Sequence, residues 1–269
     1  MPAPGFLLIN PRSGPESGEL DGLRRGAEQR GIDVRVLQAG DDASELARSA
    51  PAGPLGIAGG DGSLAPVADV ALARNLPFVC VPYGTRNHFA RDIGLDRDDP
   101  LAALAAFDGI ERRIDVARAG DRLFLNNVSL GLYAQLVHRR EHHRRRRDAL
   151  ALARALALAV ARREPLRARV DGTPFPARII LVANNHYHLD LLSLGERERL
   201  DDGLLHLYAA GGVLPTTWEE RTAPRFTIDV DAHRVTAAVD GEPAELETPL
   251  EFRIEPKALR VLVPGHPAR

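Results

Sequence analysis

Lysine is almost missing from this 269-residue chain: among 35 basic residues Lys257 stands alone, and every other cation is an arginine. A cationic phosphate ligand is therefore expected to be an arginine, whose planar fork grips phosphate differently from an ammonium. Cysteine is as scarce. Cys80 has no second thiol to pair with, which excludes an internal disulfide and fits a reducing compartment. It lies within Phe78-Val79-Cys80-Val81, with no local base or cation to draw out a thiolate, so a packed small hydrophobe is favoured over a nucleophile. An excess of one charge is lacking too. With 35 basic and 37 acidic residues the net charge is −2, and no global field draws the chain to nucleic acid. Long hydrophobic runs are absent: the most apolar helical stretch, residues 149–161, is too short to span a bilayer and contains Arg154. The opening Met1-Pro2-Ala3-Pro4-Gly5-Phe6 shows neither the basic nor the apolar region of a signal peptide, and a cytoplasmic protein is expected.

What is present reads as a folded chain, 44% hydrophobic and 27% charged, which argues against long disorder. At about 150 residues per domain, its length suggests two modest domains or one large one. The first 111 residues alternate short apolar runs with amphipathic helices. Phe6–Ile9, Val34–Leu37, Leu55–Ala58 and Phe78–Val81 read as buried strands, with helices over Leu20–Arg30, Ala43–Ala50 and Ser63–Arg74 between them. That rhythm predicts a Rossmann-like parallel α/β domain. From residue 112 to 257 the texture becomes β-rich and antiparallel, with runs at Arg112–Ala117, Leu123–Val128, Ala177–Ala183, Leu204–Ala209, Phe226–Val230, Val235–Val239 and Leu250–Ile254. One long helix, about residues 133–163, interrupts it. A last strand near 258–264 could return to the first domain.

Three polar, glycine-bearing segments follow strands of the first domain, and in an open parallel sheet such segments gather at the ligand crevice. The first is Asn10-Pro11-Arg12-Ser13-Gly14. The second, Gly59-Gly60-Asp61-Gly62-Ser63, passes directly from a strand into a helix. Without a Cβ its glycines let main-chain N–H groups approach a phosphate, and the helix start adds partial positive charge. Asp61 would then need a cation between itself and the phosphate, making it a candidate Mg²⁺ or metal-water ligand. An ordinary tight strand-to-helix turn with a solvated Asp61 explains the same residues equally well. The third, Pro82-Tyr83-Gly84-Thr85-Arg86-Asn87-His88, offers Thr85 and Asn87 as neutral hydrogen-bonding groups, Asn87 as a helix cap and Arg86 as a bidentate phosphate clamp. Its plain reading is a capped helix start beside a surface arginine.

Taken in order, Asn-Pro-x-Ser-Gly (Asn10 to Gly14), Gly-Gly-Asp-Gly-Ser (Gly59 to Ser63), Gly-Thr-x-Asn-x-Phe-Ala-Arg (Gly84 to Arg91) and Asp-Gly-Glu (Asp240 to Glu242) resemble the diacylglycerol kinase catalytic family, which includes bacterial soluble lipid kinases and sphingosine kinases. The likeness spans nearly the whole chain, including Phe124 to Gly131 and Leu200 to Leu205. It implies an N-terminal α/β domain, a C-terminal antiparallel β-sandwich and an active site in the cleft between them. By the same resemblance Asn10 to Gly14, Gly59 to Ala65, Thr85, Arg86 and Asn87 contact ATP, with Asp61 near the nucleotide-associated Mg²⁺. The resemblance likewise implies Glu242 as the general base on a lipid hydroxyl. Asp202, with the main-chain oxygens of Arg199 and Leu204, matches a structural Mg²⁺ site, although Asp201-Asp202-Gly203 alone reads as a turn between strands.

Two departures stand against the family pattern. Arg86-Asn87-His88 replaces a Gly-Asn-Asp, putting an imidazole where a carboxylate is usual, and Gln38 stands where the family has a nucleotide-contacting threonine. These motivate a second reading, a nucleotide- or lipid-binding protein without turnover. An NAD kinase shares the diglycine-aspartate loop, but the third segment and the Asp202 stretch favour the lipid-kinase branch. The run Arg139 to Arg147 is either a solvated helix face or a weak contact with an anionic membrane surface. The sequence leaves the acceptor lipid and the oligomeric state open.

Overall fold

A computed structural model describes residues 4–14, 17–85, 87–131, 166–190, 193–194, 196–210 and 219–265. Arg86, the expected helix over residues 133–163 and its arginine run lie outside the described residues. The chain divides into two compact units. One comprises Met1–Val116, Glu198–Asp201 and Pro256–Arg269, and the other Ala117–Arg197 and Asp202–Glu255. No helix among the described residues is long and apolar enough to cross a membrane.

The first unit runs β1 (Phe6–Ile9), α1 (Ser17–Gln29), β2 (Asp33–Val36), α2 (Ala43–Arg48), β3 (Leu55–Gly59), α3 (Asp61–Ala73), β4 (Phe78–Pro82), α4 (His88–Asp92) and α5 (Pro100–Ala103). A 3₁₀ turn (Leu104–Asp108) then leads into β5 (Ile110–Ala119). β1, β3 and β4 are continuous apolar runs because helices cover both faces of a parallel sheet. β2 was expected to be buried as well, yet its residues alternate between exposed and half-buried. The strand order explains this. The sheet runs β2-β1-β3-β4, so β2 is an outer strand with a single neighbour. All three pairings are parallel. Val261, near the end of the final strand, lies opposite Phe78 of β4, also in parallel register. From β1 the chain moves outward to β2 and then returns to the other side of β1 for β3. The reversal falls between β1 and β3, and ligands of open α/β sheets bind outside the carboxyl ends at such a point.

The second unit contains β6 (Arg122–Phe124), β7 (Asn127–Gly131), β8 (Leu166–Val170), β9 (Thr173–Ala177), β10 (Ile179–Asn184), the short pair β11 (Leu189–Asp190) and β12 (Ser193–Leu194), β13 (Leu205–Ala210), β14 (Glu219–Ala223), β15 (Arg225–Val230), β16 (Arg234–Val239) and β17 (Glu242–Glu247). The first residues of β18 (Leu250–Val263) also belong to it. One antiparallel sheet has the order β14-β13-β10-β7-β16-β17. In the other, β15 lies between β18 and β8, and β8 pairs onward with β9. Inward residues of both sheets share one core, with Val128, Leu130, Ile180, Val182 and Leu207 from the first and Val170, Phe226, Ile228 and Phe252 from the second. Phe124 meets Phe252 edge to face, with ring centroids 6.3 Å apart. This is the expected β-sandwich. The run read as one strand over Leu123–Val128 is in fact broken, with β6 ending at Phe124 and β7 starting at Asn127. The break follows from where the amides of Leu125 to Asn127 point: all three donate to the Asp240 carboxylate instead of to a strand.

Candidate active site

The carboxyl ends of β1, β3 and β4 bring the three polar segments of the first unit together. Asn10 donates its N–H to the Ala58 carbonyl (2.9 Å) and its side-chain Nδ2 to Ser63 Oγ (3.0 Å). Ser13 Oγ lies 3.2 Å from Ser63 Oγ, and the Arg12 N–H donates to Asn10 Oδ1 (3.1 Å). Asn10, Ser13 and Ser63 thus tie the first segment to the second. The next strand is tied in by the Tyr83 N–H, which donates to the Gly59 carbonyl at 3.1 Å.

Glycines at the crossing points are required by space. A Cβ on Gly84 would lie 2.5 Å from the Gly60 Cα, and one on Gly59 would lie 2.7 Å from the Ser63 Cβ. Two main chains therefore meet with no side chain between them. Gly60 is the N-cap of the 13-residue α3 and supplies no capping side chain; the Ser63 N–H donates to the Gly60 carbonyl at 2.8 Å, and the amides of Asp61 and Gly62 are left for another acceptor. The Tyr83 ring lies against Gly14, where a Cβ would come within 2.1 Å of it. Its hydroxyl is buried and has no hydrogen-bond partner among the described residues. Burial, with a smaller contribution from the Glu19 carboxylate, pushes the Tyr83 phenol up from its ordinary pKa.

Asp61 plays a part that the sequence did not reveal. Its Oδ2 accepts the His88 N–H and its Oδ1 the Phe89 N–H, both at 3.0 Å, so it caps α4 from 27 positions away. Asn87 was expected to cap that helix with its side chain, and it does not. It occupies the N-cap position in the left-handed region (φ 48°), while its side chain turns back to bridge the N–H and carbonyl of Gly84, both at 3.0 Å, and the carbonyl of Arg97 at 2.9 Å. With the side chain spent on the loop, the cap falls to Asp61. Thr85 is exposed and His88 half-buried. Gln38 is exposed beyond β2 and donates its N–H to Asp41 Oδ2 at 2.9 Å. Cys80 is buried in β4, and burial first, then the Asp61 charge, pushes its thiol well above the ordinary pKa. It is therefore a packed thiol and no nucleophile.

The second unit carries the other expected residues. Asp240 and Gly241 form the two-residue turn between β16 and β17, with Val239 paired to Glu242. Both have positive φ, 49° and 85°, as a type I′ turn demands, and Glu242 is exposed at the start of β17. Asp202 donates its N–H to Asn185 Oδ1 (3.0 Å), and the Leu204 carbonyl accepts the Asn185 N–H (3.1 Å). Arg199 belongs to the first unit, where its guanidinium meets Asp201 at 3.2 Å and the Lys257 ammonium lies 3.5 Å from the same carboxyl. Burial works against the Asp201 carboxylate, but Arg199 and Lys257 outweigh it and hold the group below its ordinary pKa. Arg197, which no sequence pattern singled out, is 3% exposed and donates into the Leu125–Asn126 segment.

A nucleotide fits the first-unit residues: the close glycine crossings leave main chain open to an anion, and the Tyr83 hydroxyl is an unused polar group beside Gly14. Among the described residues no three His, Cys, Asp or Glu side chains group to hold a metal ion. Mg²⁺ suits such an arrangement, since it commonly takes one or two carboxylates and completes its shell with water and substrate phosphates.

Comparison with known proteins agrees with this geometry. Residues 4–119 match the model of the diacylglycerol kinase catalytic domain. All three loops lie within that match, whereas Asp202 and Glu242 lie beyond it. A Cronobacter sakazakii protein named Probable lipid kinase YegS-like is 28% identical over 97% of this chain and 96% of its own. A Mycobacterium tuberculosis diacylglycerol kinase is 28% identical over 96% and 94%. The crystal structure of a diacylglycerol kinase from Bacillus anthracis shares the fold, with a TM-score of 0.72 at 17% identity over 97% of this chain and 96% of that one. Residues 4–119 thus carry the match to the diacylglycerol kinase catalytic domain, and over nearly its whole length the chain is similar to proteins named as lipid or diacylglycerol kinases.

Proposed function

We propose that this protein is a lipid kinase that transfers the γ-phosphoryl group of ATP to a hydroxyl of diacylglycerol or a related lipid, with Mg²⁺. The observation that carries the reading is the junction of three loops at the β1/β3 reversal, joined by Asn10, Ser13, Ser63 and Asp61. When bound, ATP supplies the phosphoryl group and Mg²⁺ offsets the negative charge on its oxygens. Phosphoryl transfer asks the protein chiefly for alignment and charge stabilisation. Main-chain N–H groups at Gly60 to Gly62 hold the phosphates, with the hydroxyls of Ser13 and Thr85 and the Arg86 guanidinium as further donors. Asp61 serves both the loop and the nucleotide-associated metal: each of its oxygens takes one amide and keeps a second lone pair. Glu242 accepts the proton of the lipid hydroxyl as that oxygen bonds to the γ-phosphorus and the bond from phosphorus to the β,γ-bridging oxygen breaks, releasing ADP. In the second unit Asp202, with the carbonyl of Leu204, supplies hard oxygen ligands of a structural Mg²⁺.

Incubating the protein with γ-labelled ATP, Mg²⁺ and a panel of lipid alcohols tests the proposal. Label in diacylglycerol or a related lipid supports it. Binding of nucleotide and lipid without label transfer would replace it with a non-catalytic binding protein, the reading that His88 and Gln38 motivate.

A further inference from the structure

The link between β6 and β7 is gripped from two sides by opposite charges. On one side the Asp240 carboxylate, in a residue 6% exposed, accepts the N–H groups of Leu125 (2.9 Å), Asn126 (2.8 Å) and Asn127 (3.1 Å). The Asp240 N–H returns a bond to the Asn127 carbonyl at 2.9 Å. On the other side Arg197 donates from Nη1 to the carbonyls of Leu125 (2.7 Å) and Asn184 (3.1 Å) and from Nη2 to Asn126 Oδ1 (2.8 Å). Asn184 reinforces this side, donating Nδ2 to the Leu125 carbonyl at 3.0 Å.

Buried charges are tolerated only where hydrogen bonds satisfy them, and bonds to an ionised partner are the stronger kind. Here the amides of one three-residue segment face the anion and its carbonyl and side-chain oxygens face the cation. The segment has little freedom to move while both charges are in place. Asp240 is also half of the two-residue turn that leads to Glu242. A type I′ turn projects from its hairpin and has no intrinsic anchor, but this one is fixed at its tip to the gripped segment.

We propose that Asp240 and Arg197 are positioning residues that hold the Asp240–Glu242 turn, and so Glu242, in the orientation the reaction needs. The inference rests on Glu242 being the general base. Arg197 lies 45 positions from Glu242 in sequence and acts on it through Leu125–Asn127 and Asp240.

The test is a set of full-length variants: Asp240→Asn, Arg197→Met, Arg197→Lys, Glu242→Gln, and Glu242→Gln combined with Asp240→Asn. Turnover of a diacylglycerol in mixed micelles is normalised to the folded fraction by near-UV circular dichroism. Asp240→Asn and Arg197→Met are expected to lower kcat about 10- to 100-fold, because small misplacements of a reacting group cost that much. KM for ATP should stay within about twofold. Arg197→Lys, which keeps the charge but not the fork, should recover part of the lost kcat and shows the effect even if Arg197→Met does not fold. Adding Asp240→Asn to Glu242→Gln should change the residual turnover less than about twofold, since both changes act at one group. Wild-type kcat in Asp240→Asn and Arg197→Lys, with Glu242→Gln inactive, overturns the positioning role and leaves the base intact. Wild-type kcat in Glu242→Gln overturns the base and the positioning role together.

Discussion

The carboxylate of Asp61 accepts the His88 N–H at 3.0 Å, joining the glycine turn after β3 to the helix that follows β4. The Phe89 amide takes the second oxygen. In Asp61→Asn one acceptor survives, but an NH₂ group faces the other amide, and a half-buried donor left unpaired costs about 1–3 kcal/mol. Urea unfolding should register that loss, and lipid phosphorylation should fall about 100-fold, the scale of losing one charge-stabilising group. An unchanged urea midpoint with transfer abolished would assign Asp61 to phosphate and metal chemistry alone.

Gly84→Ala attacks the same junction without touching charge. Its Cβ would sit 2.5 Å from the Gly60 Cα, against main chain that cannot rotate aside. Forcing the two loops apart should destabilise the protein by about 1–3 kcal/mol and weaken ATP binding at least about tenfold. Thermal unfolding with and without ATP reads both effects, and a wild-type ATP-dependent shift would mean that the crossing is not where nucleotide binds.

Glu111 and Arg260 give the first unit a pH-dependent contact. Arg260 donates Nη2 and Nε to one Glu111 oxygen at 2.7 and 2.9 Å, and this hydrogen bonding, opposed by burial and aided by the guanidinium charge, holds the Glu111 carboxyl below its ordinary pKa. A depressed folded pKa stabilises above the unfolded value of about 4.3, and the gain is lost as pH falls through the folded value. Glu111→Gln should therefore lose about 0.5–1 kcal/mol at neutral pH, as partly exposed pairs do. The deficit should close on acidification below about pH 4. Paired urea titrations at neutral and acid pH check the convergence.

Phe252→Ala would remove one partner of the edge-to-face pair from a sandwich core in which Phe252 is 1% exposed. A loss of about 3–5 kcal/mol is expected. Chemical denaturation of the variant measures it, and a loss below about 1 kcal/mol would show that the core closes over the gap.

The first unit was legible because its central strands are unbroken apolar runs and its glycine turns sit directly behind them. Strands with one solvated face were harder to see. In β8 (Leu-Arg-Ala-Arg-Val) charges occupy alternate positions, β17 (Glu-Pro-Ala-Glu-Leu-Glu) is broken up by three glutamates, and β14 is mostly charged, so no apolar run marks them. Residue types at the candidate site were readable from local motifs, but their partnerships were not. Nothing near Asp61 announces that its acceptors serve amides of residues 88 and 89. Arg197 sits in Gly-Glu-Arg-Glu-Arg, where a buried guanidinium and a solvated one look alike until Leu125 and Asn184 are folded against it.

Lys257, the lone lysine, lies within β18, its N–H donating to Asp115 Oδ1 at 2.7 Å and its side chain well exposed. A protease that cuts only after lysine therefore has a single target, and the bond beyond it leads straight into the residues that reach Val261 and its place beside Phe78. Cleavage requires the strand to leave its neighbours. The rate at which one cut appears in native protein consequently measures how often the end of β18 opens, a local stability read without any label.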